Sequence, residues 1–193
     1  MKKSDEVRET IVKATIELIE KSDGDINSIN TRAIAQRAQV GAGLINYHFQ
    51  TKENLIELCV ERMIKQVISS FSPPVSEQTP IEQLKITAKL VFDFLMDNPA
   101  VSKISILSDY RNPKPGDNTM MSAAGFSRTL SKLKIPEEER FILALAFTSI
   151  MQALFLRKDQ DAGLPGYDLN NKAQRDTLLD LLIDTIFGGF EYE

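Results

Sequence analysis

Apolar side chains recur at steps of three and four residues along nearly the whole of this chain, which is the spacing of helices that each bury one face. No stretch alternates apolar and polar residues over the length of a strand. Clusters rich in proline, glycine and small polar residues, which end helices, interrupt the pattern. They are SDGD at 22–25, SPPV at 72–75, NP at 98–99, RNPKPG at 111–116 and GLPG at 163–166. The sequence therefore predicts an all-α protein of about nine helices.

The N-terminal segments have the pattern of a helix-turn-helix, in which the second helix of the pair is presented to the major groove of DNA. Thr31 is expected to cap the first helix of the pair, which runs to Ala38, and residues 41–49 contain the second. The residues expected to lock the pair together are Ile34, Ala35, Ala38, Val40, Ile45 and Phe49, and the turn is Gln39, Val40 and Gly41.

Two further helices are expected to flank this pair. The first starts at Ser4, leaves Lys2 and Lys3 as a basic tail, and forms the back wall of the motif. The other opens at Thr51 and reaches about Ser70. We place the domain boundary within that helix. Residues 1–52 form the DNA-binding domain, residues 53–193 the ligand-binding and dimerisation domain, and the helix 52–70 connects them.

Charge supports a contact with nucleic acid at this motif. No Asp or Glu occurs between Ile26 and Lys52, although the chain contains 27 of them, so Arg32, Arg37 and Lys52 are unopposed in the local sequence. The net charge of −4 argues against a protein that coats nucleic acid without selectivity. Ten basic and ten acidic residues occur in residues 1–65, so the acidic excess belongs to the remainder of the chain.

The side chains of the motif differ in what they can contact. Thr31 and Lys52 lie at expected helix N-termini, where free backbone N–H groups favour a phosphate. Arg32 matches guanine and Asn46 matches adenine, although either residue could instead be an ordinary solvated side chain. Tyr47 offers a hydroxyl on a rigid ring. Ala42, Gly43 and Leu44 have no hydrogen-bonding side chain, so DNA shape is expected to supply part of the specificity.

The segment VGAGLINYHFQTKENL at 40–55 resembles the N-terminal signature of the TetR family of bacterial transcriptional regulators. The resemblance implies that Thr31, Tyr47, His48 and Lys52 contact the DNA backbone. It also implies that bases are approached by Arg32, Ala42, Gly43, Leu44 and Asn46. The chain departs from the common pattern at Gln39, where a turn glycine is frequent, and at Asn46, where an aromatic residue is frequent.

The helices after Pro80 contain most of the aromatic residues and methionines. These side chains are either plain core or the lining of a pocket for a small, largely apolar effector, with Gln152 as its polar group beside Met151 and Ala153. The pocket hypothesis names Phe92, Met96, Tyr110, Met121, Phe126, Met151, Gln152 and Phe155.

The last helix is apolar on two faces. One face carries Leu178, Leu182 and Ile186, and the other carries Leu179, Ile183, Phe187 and Phe190. A helix that is apolar on both sides is buried on both, so one face is expected to meet a second subunit. The family resemblance implies a homodimer formed through the last two helices as a four-helix interface.

Other functional classes find little support. His48 is the sole histidine and has no CxxC companion, so we expect no metal site and no cofactor. Nucleophile-elbow and phosphate-loop motifs are absent, which argues against an enzyme.

Cys59, the one cysteine, is expected to be a buried core thiol. No apolar run comes near the roughly 20 residues of a membrane helix, so we expect a cytoplasmic protein. The alternative to a DNA-binding, ligand-responsive repressor is an all-helical small-molecule-binding module that does not bind DNA.

Overall fold

The computed structural model describes residues 2–68, 78–159 and 166–191, which form nine helices and no strand. The all-α prediction is confirmed. The helices are α1 (Lys2–Glu20), α2 (Thr31–Ala38), α3 (Ala42–Phe49), α4 (Lys52–Ile68), α5 (Pro80–Asp97), α6 (Pro99–Arg111), α7 (Asn118–Thr129), α8 (Glu137–Leu156) and α9 (Lys172–Phe187). The predicted breakers at 72–75 and 163–165 lie outside the described residues.

Two predicted helix starts were wrong. Helix α1 begins by Lys2 rather than at Ser4, so Lys2 and Lys3 are helical and not a tail. Helix α2 is capped by Asn30, whose side-chain oxygen accepts a hydrogen bond from the N–H of Ala33, and Thr31 is the first helical residue. Asn30 and Thr31 are both residues that cap helices well, so the sequence alone places the start of α2 only approximately.

By its internal contacts the chain divides into two units, Met1–Ser72 with Asn98–Ser108, and Pro73–Asp97 with Asp109–Glu193. In the first unit α1 packs on α2 and α4, and α3 packs on α2 and α4. The predicted boundary at residue 52 stays a prediction, because a grouping of contacts does not test which part of the chain folds independently.

The first part of α6 contacts the loop after α1, within the first unit. The Lys103 side chain donates a hydrogen bond to the Asp23 carbonyl oxygen (3.4 Å). A Cβ added to Gly24 would lie 2.7 Å from Cδ of Lys103, and Gly24 has a φ of +77°. Both the space and the backbone conformation therefore require glycine at position 24.

The second unit has an aromatic core. Phe92, Phe147 and Phe187 are fully buried, and the ring of Phe147 lies 5.5 Å from that of Phe126 and 6.3 Å from that of Phe187. Edge-on pairs of this kind stabilise a core beyond the area they bury.

Helix α8 has the length and hydropathy of a membrane span, contrary to the prediction that no segment approaches one. Core helices of soluble proteins have the same length and hydropathy.

Helices α5 and α9 are joined by four ion pairs in antiparallel register. Nζ of Lys85 lies 2.7 Å from the Asp184 carboxylate, and Nζ of Lys89 lies 2.8 Å from that of Asp180. The third pair joins Asp93 to Arg175 at 2.7 Å, and Lys172 contacts the same carboxylate at 2.6 Å. Arg175 is only 5% exposed, so the Asp93–Arg175 pair is the most deeply buried of the four.

Candidate nucleic-acid interface

Helix α3 buries one face and exposes the other. Ile45 and Phe49 are buried in the first unit, as predicted. The opposite face is exposed and carries Ala42, Gly43, Leu44, Asn46 and Tyr47. Tyr47 is 78% exposed, so its ring and hydroxyl extend away from the protein. A tyrosine side chain combines an apolar ring with a hydroxyl, so in this exposed position it can contact a partner through either.

The turn between α2 and α3 fixes the direction of α3. Gln39 adopts the left-handed conformation (φ 55°, ψ 41°), and the Val40 N–H donates to the Ala35 carbonyl oxygen at 3.0 Å. This conformation and this hydrogen bond end α2 in the way that a glycine at the C-terminus of a helix usually does. Ile34, Ala35 and Ala38 are buried, while Val40 is half-buried. The helix-turn-helix predicted from the sequence is present in the structure.

The junction between α3 and α4 is a tight turn at Gln50. Its φ is 67° and its ψ is −54°, and the Thr51 N–H donates to the Phe49 carbonyl oxygen at 2.8 Å. This is the geometry of a γ-turn of the strained kind. The Thr51 hydroxyl then accepts from the Asn54 N–H at 3.1 Å and so caps α4 as predicted, which places Lys52 in the first turn of α4.

The Lys52 side chain is positioned by its neighbours. Nζ donates to the Ile26 carbonyl oxygen at 3.3 Å and lies 3.8 Å from the Glu53 carboxylate. An ammonium group has three protons, so it retains donors for a phosphate. Thr31 is half-buried at the start of α2.

Arg32 and Arg37 differ in their surroundings. Arg37 is unopposed in the local sequence, as predicted, but it is paired with Glu17 of α1. A window of local sequence could not include a partner twenty residues away. Arg32 is exposed and forms no ion pair with a described residue. Of the two arginines, Arg32 is therefore the one available to an external anion or base.

Two contacts of α3 side chains were not predicted from the sequence. The Arg8 guanidinium lies 5.2 Å from the centre of the Phe49 ring, and the His48 ring lies 5.0 Å from that of Tyr47. Cation–π and edge-on contacts of this kind restrain the rings. Arg8 lies one helical turn after Ser4 in a polar stretch, and no sequence signal distinguishes it from a solvated residue.

We predict that Gln50→Gly raises the free energy of unfolding by about 1 kcal/mol, measured by urea denaturation at fixed protein concentration. A non-glycine residue in such a turn costs about 1–3 kcal/mol, of which the greater flexibility of glycine in the unfolded chain offsets about 0.4–1. Gln36→Gly, in the exposed part of α2, is the matched control and should lower stability by about 1 kcal/mol. Equal losses in both variants would show that Gln50 is not strained.

The residues named for the effector pocket all belong to the second unit. Phe92, Phe126, Met151, Gln152 and Phe155 are buried, whereas Met96 is half-buried and Tyr110 and Met121 are about half exposed. Ala153 is exposed, on the other side of α8 from Gln152. The buried members remain candidates for contact with an effector.

A chain of hydrogen bonds runs from Gln152 to the end of α6. Nε2 of Gln152 donates to the Thr119 hydroxyl oxygen at 2.9 Å, and that hydroxyl donates to the Asp109 carboxylate at 2.8 Å. The Thr119 N–H donates to the same carboxylate oxygen at 2.9 Å. Gln152 was predicted from the sequence as the polar group of a pocket, but Thr119 and Asp109 were not predicted as its partners.

Cys59 lies in the interior of the first unit. Its thiol is buried and contacts the Val12 carbonyl oxygen at 3.7 Å. Burial raises the pKa of this thiol to about 12, so the thiolate is scarce at neutral pH. The predicted core thiol is confirmed.

Comparison with known proteins gives consistent results. The family model of bacterial regulatory proteins, tetR family, matches residues 11–59, from the middle of α1 to the middle of α4. A curated relative, the HTH-type transcriptional regulator BetI of Cronobacter sakazakii, is 24% identical over 96% of this chain and 94% of that protein. An uncharacterized HTH-type transcriptional regulator of Haemophilus influenzae is 27% identical over 55% of this chain and 56% of that protein.

Solved structures share the fold of nearly the whole chain. A transcriptional regulator from Rhodococcus has a TM-score of 0.64 at 16% identity, covering 96% of this chain and 98% of that one. A tetR-family regulator from Streptomyces coelicolor has a TM-score of 0.63 at 15% identity, covering 94% and 79%. With the helix-turn-helix and the family match over it, residues 11–59 belong to the TetR family of bacterial regulatory proteins, and nearly the whole chain shares the fold of solved transcriptional regulators.

Proposed function

We propose that the protein is a cytoplasmic, ligand-responsive repressor that binds a palindromic operator as a homodimer. The observation that carries the DNA-binding part is the exposed face of α3. Tyr47, Asn46 and the small residues before them project from a unit whose segment 26–52 contains no acidic residue. Arg32 has no described ion-pair partner, and Lys52 has donors to spare, so both can meet the phosphates and bases that flank such a helix.

In this proposal the contacts have distinct roles. Thr31, Tyr47, His48 and Lys52 hold the DNA backbone and set the register of the protein. Arg32 and Asn46 contact base edges, while Ala42, Gly43 and Leu44 allow close approach and meet thymine methyl groups. Because only two of these base-facing side chains can donate hydrogen bonds, the operator's shape and the spacing of its half-sites supply the remaining specificity.

The surfaces of α8 and α9 support a dimer. Helix α8 exposes Ile142, Ala146 and Ala153 along one face, and Ile142 is 63% exposed. Helix α9 exposes Thr177, Leu181 and Thr185, and Leu181 is 50% exposed. These two helices pack on each other, and small residues beside isolated large apolar ones suit a four-helix interface. Less than half of α8 is buried within the chain despite its apolar composition.

Selection of binding sites from random double-stranded DNA tests the proposal most directly. We expect an enriched palindrome whose half-sites lie about one helical turn or a multiple of it apart, since two identical heads bind one duplex. The alternative, a small-molecule-binding module without DNA affinity, predicts no enrichment. A native upstream fragment that carries the palindrome should be retarded in a gel, and reporter expression should fall when the protein is present if it acts as a repressor.

Two substitutions distinguish a residue that contacts a base from one that contacts the DNA backbone. Arg32→Ala should cost about 1–3 kcal/mol mainly at one base position, whereas Lys52→Ala should weaken binding to all sequences and lower the salt dependence by about one unit of slope. Lys65→Ala removes the same charge near the far end of α4 and should leave both quantities unchanged. If sequence preference is the same in Arg32→Ala as in the wild type, then Arg32 does not contact a base.

A further inference from the structure

Gln152 has an acceptor that the folded chain does not satisfy. The buried face of α8 carries two polar side chains, Thr148 and Gln152. The Thr148 hydroxyl donates to the Ala144 carbonyl oxygen at 2.8 Å. Gln152 is 7% exposed, and its Oε1 is buried with no hydrogen-bond partner among the described residues.

The hydrogen bonds of Thr119 fix which atom of the amide is left without a partner. The Thr119 hydroxyl has one proton, and a carboxylate oxygen of Asp109 at 2.8 Å accepts it. Thr119 can therefore offer Gln152 only a lone pair, which calls for the Nε2 donor at 2.9 Å. Turning the amide over would place two acceptors against each other. Oε1 consequently faces away from Thr119, as a fixed and buried acceptor.

A buried acceptor without a partner costs free energy that a suitable donor recovers. The neighbours of Gln152 on the buried face of α8 are Met151 and, one turn on, Phe155, which are apolar. A ligand that meets Oε1 therefore gains from a donor there and from apolar surface elsewhere. A carboxylate or another acceptor at the same place would be repelled, because neither it nor Oε1 has a proton to donate.

We infer that the effector places an O–H or N–H group of a largely apolar molecule on Oε1 of Gln152. The inference rests on the proposed function for its regulatory meaning, because it names the chemical class of the effector. It goes beyond a general apolar pocket by requiring one hydrogen-bond donor, and it assigns Thr119 and Asp109 as positioning residues that orient the glutamine amide.

The test uses pairs of probes that differ only in the donor: phenol and anisole, indole and 1-methylindole, cyclohexanol and methoxycyclohexane. Titration calorimetry with the full chain measures the dissociation constants without DNA. In at least one pair the donor-bearing probe should bind about tenfold more tightly, the amount typical of a hydrogen bond to a buried polar group. If no pair shows this preference, including the case in which no probe binds, the inference is overturned.

Variants then locate the acceptor. Gln152→Met keeps the length of the side chain without an acceptor, and it should abolish the preference. Ser149→Ala is the matched control, because that hydroxyl is already bonded to the Leu145 carbonyl oxygen at 2.9 Å, and it should retain the preference. Thr119→Val removes the group that orients the amide and should reduce the preference, which gives a second answer if Gln152→Met does not fold. A preference that persists in both folded variants overturns the assignment to Gln152.

A DNA titration tests the proposed function separately from the preference for a donor. The donor-bearing probe that binds should raise the protein concentration needed to retard operator DNA, and its methylated partner should do so less. Failure of the protein to bind any DNA would refute the proposed function while leaving the donor preference measurable.

Discussion

Ile142→Glu and Leu181→Glu should each give a folded monomer that binds operator DNA at least about 100-fold more weakly than the wild type, because two linked heads bind with a far higher effective concentration than two separate ones. Both side chains are at least half exposed in the isolated chain, so a carboxylate at either site remains hydrated in the monomer. In a dimer seam the same carboxylate is buried without a partner, which is strongly unfavourable. We therefore expect both substitutions to weaken dimer formation and to leave the folding of the monomer unchanged.

The measurements are sedimentation for mass, circular dichroism for helix content, and titration of an operator with two half-sites. Met121→Glu is the matched control, since Met121 is 49% exposed on α7 and receives the same change in charge. It should remain a dimer. Phe187→Glu is uninformative about assembly, because Phe187 is fully buried in the core of its own unit and its substitution should unfold the chain. A wild-type protein that sediments as a monomer at micromolar concentration would contradict the dimer.

The sequence predicted the helix-turn-helix because its determinants are local. Ile34, Ala38, Ile45 and Phe49 are spaced so that two short helices can bury them together, and all four are buried in the structure. The two-faced pattern of α9 was also informative, but it did not identify the outward face. Leu178, Leu179, Ile183 and Phe187 are buried, Leu182 and Ile186 are half-buried, and Leu181 and Phe190 are exposed.

Contacts between distant segments could not be predicted in the same way. Glu17 neutralises Arg37, and Arg8 packs on the Phe49 ring, because α1 crosses behind α2 and α3. A charge count over a short window contains no information about such partners. The contact between Lys103 and Gly24 likewise joins segments about eighty residues apart, so only the structure places the first part of α6 in the first unit.

The buried cation Arg175 was also invisible in the sequence, since it lies in the polar first turns of α9 among exposed residues. Its guanidinium donates to the Leu169 carbonyl oxygen at 2.8 Å and to Asp93 at 2.7 Å, and it lies 5.8 Å from the centre of the Phe92 ring. Burial of Asp93 raises the pKa of its carboxyl, but the hydrogen bonds from Lys172 and Arg175 outweigh burial and hold that pKa below its usual value. The pair therefore stabilises the folded state at neutral pH.

Asp93→Asn should lower the free energy of unfolding by about 2–3 kcal/mol at pH 7, because it leaves Arg175 buried without its carboxylate. Removing one partner of a fully buried pair costs about 3–5 kcal/mol, and the partial exposure of Asp93 reduces that value here. Arg175→Met should cost less, since an apolar side chain of similar length can pack against Phe92 and the carboxylate keeps Lys172. The double variant should therefore be more stable than Asp93→Asn alone, and urea denaturation at one protein concentration measures all three.

Acidification provides an independent check on the same pair. Because the folded-state pKa of Asp93 lies below its unfolded value, its contribution to stability is present above the unfolded pKa of about 4 and is lost as the pH falls through the folded pKa. The stability difference between the wild type and Asp93→Asn should therefore stay constant from pH 7 to about pH 5 and narrow below about pH 4. A difference that widens on acidification, or a double variant less stable than Asp93→Asn, would show that Asp93 does not act by neutralising Arg175.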